Sequence, residues 1–136
     1  MIEFHLNSRS GLAPYLQLIQ QVRHALRLGL LREGDQMPKV KDVAAGLAIN
    51  PNTVLKAYRE LEYEGLVAAR PGIGTFVTGT LGGAPLAAQG PLRRDLQRWL
   101  AKARRAGLDD ESIEALFAST FRSSAEDVEG TGRWAG

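Results

Sequence analysis

Asn52, Thr53, Lys56 and Arg59 bring amide, hydroxyl and basic groups together on one predicted helix. Amide and hydroxyl groups can read base edges, and basic groups can bind phosphates, so the set suits a nucleic acid. A solvated helix face has a similar composition, and it is the alternative interpretation of these residues. The position of these residues at the start of a helix favours DNA, because recognition helices present their first turns to bases.

The helix that carries them is predicted from its start signal and its apolar spacing. Asn50 is a favoured N-cap and Pro51 suits the first helical position, while Gly65 ends the helix after about Glu64. Its buried face is defined by four residues at helical spacing: Val54, Ala57, Tyr58 and Leu61. Tyr58 is therefore assigned to the core, and the polar residues point outward.

Two further helices and a hairpin complete the predicted first domain, residues 1–78. The helices cover about Pro14 to Leu28 and Val40 to Leu47, and the strands cover Leu66–Arg70 and Thr75–Thr78. A turn with Gly72 and Gly74 joins the strands. A helix-turn-helix followed by a hairpin is a winged helix, so the fold class is mostly α with a small β-hairpin (α+β).

The remainder divides into a linker at 79–91, a helical hairpin at 92–122 and a tail at 123–136 that is predicted to be disordered. The hairpin carries apolar stripes that two short helices cannot hide: Leu92, Leu96, Trp99, Leu100, Ile113, Leu116, Phe117 and Phe121. They could pack on the winged helix of the same chain. A second copy is the favoured cover, since the first helix of the hairpin is basic and the second acidic.

Residues 10–78 resemble the DNA-binding domain of GntR-family bacterial transcription regulators, most of all the YtrA-like subfamily. The resemblance is carried by Asn50-Pro-Asn-Thr-Val-Leu-Lys-Ala-Tyr58 and by Gly72-Ile-Gly-Thr-Phe-Val77, at the family's separation. It implies a homodimer on a near-palindromic operator. The region after the linker is too short for the large ligand-binding or aminotransferase-like domains of other subfamilies.

The resemblance also implies the contact residues, with departures from the family pattern. Lys39 and Lys41 stand where the family has serine and arginine, which keeps phosphate contact with weaker bidentate geometry. Pro51 replaces an arginine and cannot donate a hydrogen bond, so recognition moves to Asn52 and Thr53. Leu55 also replaces an arginine. Asn50 and Pro51, at the start of the same helix, are counted among the predicted DNA-binding residues.

At the wing, the resemblance implies that Gly72 and Gly74 permit close approach to the minor groove. Arg70, just before the wing turn, is predicted to contact a phosphate or a groove. A charge that blocks strand-edge aggregation is the alternative there.

Composition and the absence of known motifs exclude several other classes of protein. The 136 residues contain no cysteine, which removes disulfides and thiolate sites, and neither His5 nor His24 has a partner at ligand spacing. Phosphate-binding loops and nucleophile elbows are missing, so neither an enzyme nor a cofactor is predicted. Without a signal peptide or a spanning segment, the chain is predicted to be cytoplasmic.

The sequence thus predicts a homodimeric regulator of double-stranded DNA, more simply a repressor than an activator. A small-molecule effector would have to bind a small pocket between the hairpins of the dimer. The competing hypothesis is a winged-helix module that binds another protein without specific DNA binding.

Overall fold

The computed structural model describes residues 2–82 and 86–135, with side chains for 2–82 and 88–125. Within these residues, five helices and two strands follow one another in the order α1 (Pro14–Arg27), α2 (Val40–Leu47), α3 (Pro51–Tyr63), β1 (Val67–Arg70), β2 (Gly74–Val77), α4 (Leu86–Arg105) and α5 (Asp110–Ala135). Contacts divide the chain into two units, Met1–Leu86 and Ala87–Gly136. The fold is mostly helical with a small antiparallel hairpin, as the sequence predicts.

The core of the first unit lies between α1, α2, α3 and the hairpin. Leu18, Val22, Val54 and Leu61 are fully buried there. These residues recur at helical spacing on α1 and α3, so each helix turns one apolar face inward. Tyr58 joins them, and its hydroxyl donates a hydrogen bond of 2.5 Å to the Pro38 carbonyl oxygen just before α2. Burial raises the pKa of this phenol well above its ordinary value.

The wing is a two-stranded antiparallel hairpin that is anchored by a third stretch of chain. β1 and β2 pair with Val67 opposite Val77 and Arg70 opposite Gly74. Residues 34–37 bond to the other edge of β2, where the Gly34 N–H donates to the Val77 carbonyl and the Met37 N–H donates to the Thr75 carbonyl, each at 2.8 Å. These hydrogen bonds hold the base of the wing against the rest of the domain.

An extended segment at residues 2–7 lies along α1 and is held by two glutamine side chains. The Gln21 amide exchanges two hydrogen bonds with the backbone of His5, and the Gln17 amide exchanges two with the backbone of Asn7. Because Gln17 and Gln21 are one helical turn apart, their amides pair with alternate residues of an extended chain, as a neighbouring strand would. Ile2, Phe4 and Leu6 consequently pack against the core.

In the second unit, α4 and α5 are joined by residues 106–109. Asp109 caps the start of α5, since its carboxylate accepts a hydrogen bond of 2.8 Å from the Ser112 N–H. Near this turn Ala103 and Ile113 are buried, while Leu92, Leu116 and Phe121 further out are exposed. Among the described residues, no helix combines the length and the apolar character that a bilayer span requires.

Two boundaries differ from the sequence predictions. Helix α4 begins at Leu86 within the predicted linker and contains Pro91. The proline removes a single backbone hydrogen bond, and the turns on either side of it continue the helix. Helix α5 runs to Ala135, so the prediction of a disordered tail from residue 123 is not what the structure shows. No proline interrupts that stretch, and extending an existing helix avoids the cost of nucleation.

Candidate nucleic-acid interface

The turn between α2 and α3 sets the direction of α3. Ala48 adopts a left-handed conformation, with φ of 54° and ψ of 46°, and the Ile49 N–H donates to the Ala44 carbonyl oxygen at 3.0 Å. Asn50 then caps α3, because its side-chain oxygen accepts a hydrogen bond of 2.8 Å from the Asn52 N–H. The structure thus confirms the N-cap role that the sequence predicts for Asn50, which is also one of the predicted DNA-binding residues.

The first half of α3 presents the predicted polar residues. Asn52, Lys56 and Arg59 are exposed, whereas Thr53 is half-buried. Pro51, at the first helical position, is exposed as well. Leu55 is half-buried, because it lies next to the buried Val54 at the edge of the packed face.

Charge is distributed unevenly along α3. Residues 51–59 contain Lys56 and Arg59 and no carboxylate, whereas Glu60, Glu62 and Glu64 follow at the C-terminal end. The free N–H groups at the N-terminus of a helix add partial positive charge to its first turn. The end of α3 that bears Asn52 is thus the end that attracts an anion.

Lys56 has a partner that spacing along the chain does not indicate. Its Nζ atom lies 3.9 Å from the centroid of the Tyr15 ring at the start of α1. Tyr15 is half-buried and packs against the core. The pair is a cation–π contact between two helices, 41 positions apart in sequence.

The wing presents a second basic group and an open tip. The Arg70 guanidinium lies 4.6 Å from the centroid of the Phe76 ring on the paired strand. Gly72 has φ of 75° and open space around it, and Ile73 beside it is exposed. Gly74 has φ of 146°, and a Cβ atom there would lie 2.8 Å from Gln36 Nε2, so this glycine also allows the close approach of residue 36.

Lys39 and Lys41 lie at the start of α2 and are exposed. The Tyr58 hydroxyl on α3 donates a hydrogen bond to the Pro38 carbonyl oxygen, which links α3 to the segment just before Lys39. The two lysines and the first turn of α3 are therefore held by one packed unit. Among the residues that the structure describes, no His, Asp and Glu side chains form a group able to hold a metal ion.

The residues predicted to dimerise the chain lie on α4 and α5. Leu92, Leu96, Leu116, Phe117 and Phe121 are exposed, and the rings of Phe117 and Phe121 stack at 5.9 Å. Trp99 and Leu100 are half-buried, and Ile113 is buried in the single chain, so it is less available to a partner than the sequence prediction assumes.

Comparisons with known proteins agree with this architecture. Residues 14–77 match the model for bacterial regulatory proteins of the gntR family. The chain is 40% identical over 73 residues to the HTH-type transcriptional repressor YtrA of Bacillus subtilis, covering 54% of this chain and 56% of that protein. It thus spans about half the length of the curated relatives it matches.

Two solved structures share the fold. A transcriptional antiterminator from Listeria monocytogenes is 28% identical with a TM-score of 0.56, over 88% of this chain and 90% of that one. YtrA from Sulfolobus acidocaldarius, a GntR-family transcription factor, is 27% identical with a TM-score of 0.52, over 71% of this chain and 96% of that one. Residues 14–77 therefore form a winged helix domain of the gntR family of bacterial regulatory proteins.

Proposed function

We propose that the protein is a transcription regulator that binds double-stranded operator DNA as a homodimer and acts as a repressor. One observation carries the proposal. The first half of α3 exposes Asn52, Lys56 and Arg59 without any carboxylate, on a helix whose other face is fully packed. A packed helix of this kind can lie in a major groove, where the amide can bond to a base edge and the two cations can bind phosphates.

The wing and the start of α2 extend this surface. Arg70 and the open turn at Gly72 can approach the sugar-phosphate backbone, and Lys39 and Lys41 supply further phosphate contacts. Thr53 and Pro51 flank Asn52 in the first turn of α3, and Gly74 fixes the base of the wing tip against Gln36.

Dimerisation is supported by the second unit. Both helices expose large apolar side chains in a single copy, and a second copy of the hairpin can cover them. Two tethered recognition helices then bind two half-sites, which raises the affinity over that of one. A dimer that occupies a promoter excludes polymerase, which is the simplest route to repression, and the similar Bacillus subtilis protein is named a repressor. Such a role belongs in the cytoplasm and needs neither catalysis nor a cofactor.

The direct test is binding to DNA at several salt concentrations. Fluorescence anisotropy would compare a labelled duplex of about 30 base pairs, selected by the protein from a random pool, with a scrambled duplex of the same composition. We expect the selected duplex to bind roughly 10³-fold more tightly or better, and the logarithm of the affinity to fall linearly with the logarithm of salt. Failure to bind any duplex at ~50 mM salt would overturn the proposal in favour of a protein-interaction module.

A single substitution tests the proposed base contact. Asn52→Ala should cost about 1–3 kcal/mol on the selected duplex and relax the base preference at one position of each half-site. Glu62→Ala, at an exposed position near the other end of α3, is the matched control and should leave that preference unchanged. Unaltered affinity and preference in Asn52→Ala would remove this residue from the interface.

A further inference from the structure

The contact between Lys56 and Tyr15 joins the outer face of α3 to the start of α1. The Lys56 Nζ atom stands 3.9 Å from the ring centroid, well within the range of a cation–π interaction. Tyr15 is half-buried against the core, so its ring has a fixed position. Lys56 is exposed, and its ammonium group is at the end of a flexible side chain. The fixed partner therefore determines where the mobile charge is found.

The choice of partner is informative because Lys56 has an alternative on its own helix. Glu60 lies four positions later, where an ion pair between neighbouring turns could form. Within residues 2–82, no ion pair joins the two side chains. A lysine that precedes a glutamate has the less favourable orientation for such a pair, and the ring leaves the charge unneutralised.

An ammonium group over a neutral ring leaves a net positive charge at the surface, whereas a carboxylate partner in a salt bridge would offset that charge. It stays available to a phosphate while its side chain has already lost part of its freedom. Asn52 lies one turn before Lys56 on the same outer face, so the charge is held beside the proposed base contact.

We propose that Tyr15 is a positioning residue of the DNA interface, which holds Lys56 for a backbone phosphate next to the base read by Asn52. This inference rests on the proposed function and adds α1 to the elements that shape the interface. Tyr15 acts through its ring. No hydrogen bond from its hydroxyl to another protein group is found in the part of the chain that the structure describes, so a phenylalanine should replace it.

The test is a double-mutant cycle on the full-length protein, with the selected duplex described above. Tyr15→Phe keeps the ring and should bind within about twofold of the original protein. Tyr15→Leu removes the ring and should weaken binding about two- to fivefold per half-site, because Lys56 is then no longer held in place in the free protein. The size of an exposed cation–π contact sets this range. Lys56→Met should weaken binding to all sequences alike and lower the salt slope by about one per half-site.

The cycle is decided by the double variant. If Tyr15 works through Lys56, Tyr15→Leu should cause no additional loss in the Lys56→Met background. Equal losses for Tyr15→Phe and Tyr15→Leu would instead assign the effect to the hydroxyl, and additive losses would show an independent role. Either result overturns the inference, as does unchanged binding by Tyr15→Leu.

A second measurement does not depend on DNA. In the free protein, the Lys56 ε-methylene protons should show an upfield ring-current shift by NMR, which Tyr15→Phe keeps and Tyr15→Leu abolishes. Circular dichroism and thermal unfolding would confirm that the variants are folded. A missing shift overturns the inference. A protein that shows the shift but binds no duplex would overturn the proposed function and, with it, any role for this contact in DNA binding.

Discussion

The winged helix and the helical region that follows it differ in how far their large apolar side chains are buried. In the first unit Leu18, Val54 and Leu61 are fully removed from water, and fifteen buried residues among those described there form one continuous core. In the second unit Phe117 remains 50% exposed and Phe121 67% exposed. The first region buries a continuous core of its own, whereas the second leaves exposed the large aromatic side chains that the proposed dimer would cover.

The first prediction tests whether the winged helix really depends on its own core. Leu61→Ala leaves a cavity in the middle of that core and should lower the free energy of unfolding by about 2–5 kcal/mol. The loss should be independent of protein concentration, since the packing is within one chain. Chemical denaturation at two concentrations measures both quantities.

Tyr63→Ala is the matched control for this substitution. Tyr63 lies on the same helix but is 91% exposed, so its removal should change the stability by less than ~0.5 kcal/mol. Similar losses for the two variants would contradict the contrast between core and surface.

The second prediction addresses the uncovered surface. Phe117→Asp puts a charge where the proposed dimer buries a ring, and the symmetric interface contains the change twice. With roughly 1.5 kcal/mol lost per copy, the dissociation constant of the dimer should rise by about 100-fold or more. Sedimentation equilibrium at micromolar concentration measures it.

Ser119→Asp supplies the control, because it adds the same charge two positions further along α5 and away from the stacked rings. It should leave the dimer intact. A full-length protein that is monomeric from the outset, or a truncation after Gly82 that still dimerises, would refute the assignment of this surface.

A third and smaller effect is expected from the strained turn before α3. Ala48→Gly should raise the free energy of unfolding by roughly 0.5–1 kcal/mol, because a left-handed alanine costs about 1–2 kcal/mol and glycine offsets part of the gain through its entropy. Ala45→Gly, inside α2, should lower the stability by a similar amount. Differential scanning calorimetry would compare the two. A loss in both variants would show that the turn is not strained.

The smallest effect concerns the second unit and depends on pH. Hydrogen bonds from the Ser112 hydroxyl and N–H lower the pKa of Asp109 below its ordinary value. A carboxyl with a depressed pKa in the folded state stabilises α5 above its unfolded pKa, and this contribution disappears as the pH falls through the folded value. The Ser112 amide resonance should therefore titrate with a midpoint below that of an ordinary aspartate. Asp109→Asn, which caps without titrating, should remove the transition, and a midpoint at or above the ordinary value would contradict the cap.

Most of the winged helix could be predicted because its signals are local. Pro14 and Pro51 mark the starts of α1 and α3 where the structure has them, and apolar spacing identified the buried face that contains Tyr58. The partners of the interface could not be found in this way. Lys56 and Tyr15 belong to different helices, and only the packing of α1 on α3 brings them together.

The structure of the second unit was harder to predict from the sequence, for a different reason. Pro91 suits the first turn of a helix, but the structure continues α4 back to Leu86 through it. Ile113 fits an outward stripe by its spacing, yet it is buried near the turn. Periodicity indicates that a face is apolar without indicating whether the same chain or another one covers it.

The pairing of residues 2–7 with α1 also bears on how the protein assembles while it is being made. Residues 5 and 7 leave the ribosome before Gln17 and Gln21, whose side chains complete their backbone hydrogen bonds. These amides come into register only once α1 is helical, and the core against which Ile2 and Phe4 pack includes later residues such as Val43. Residues 2–7 are therefore expected to pack after α1 and α2 have formed, although they are synthesised first.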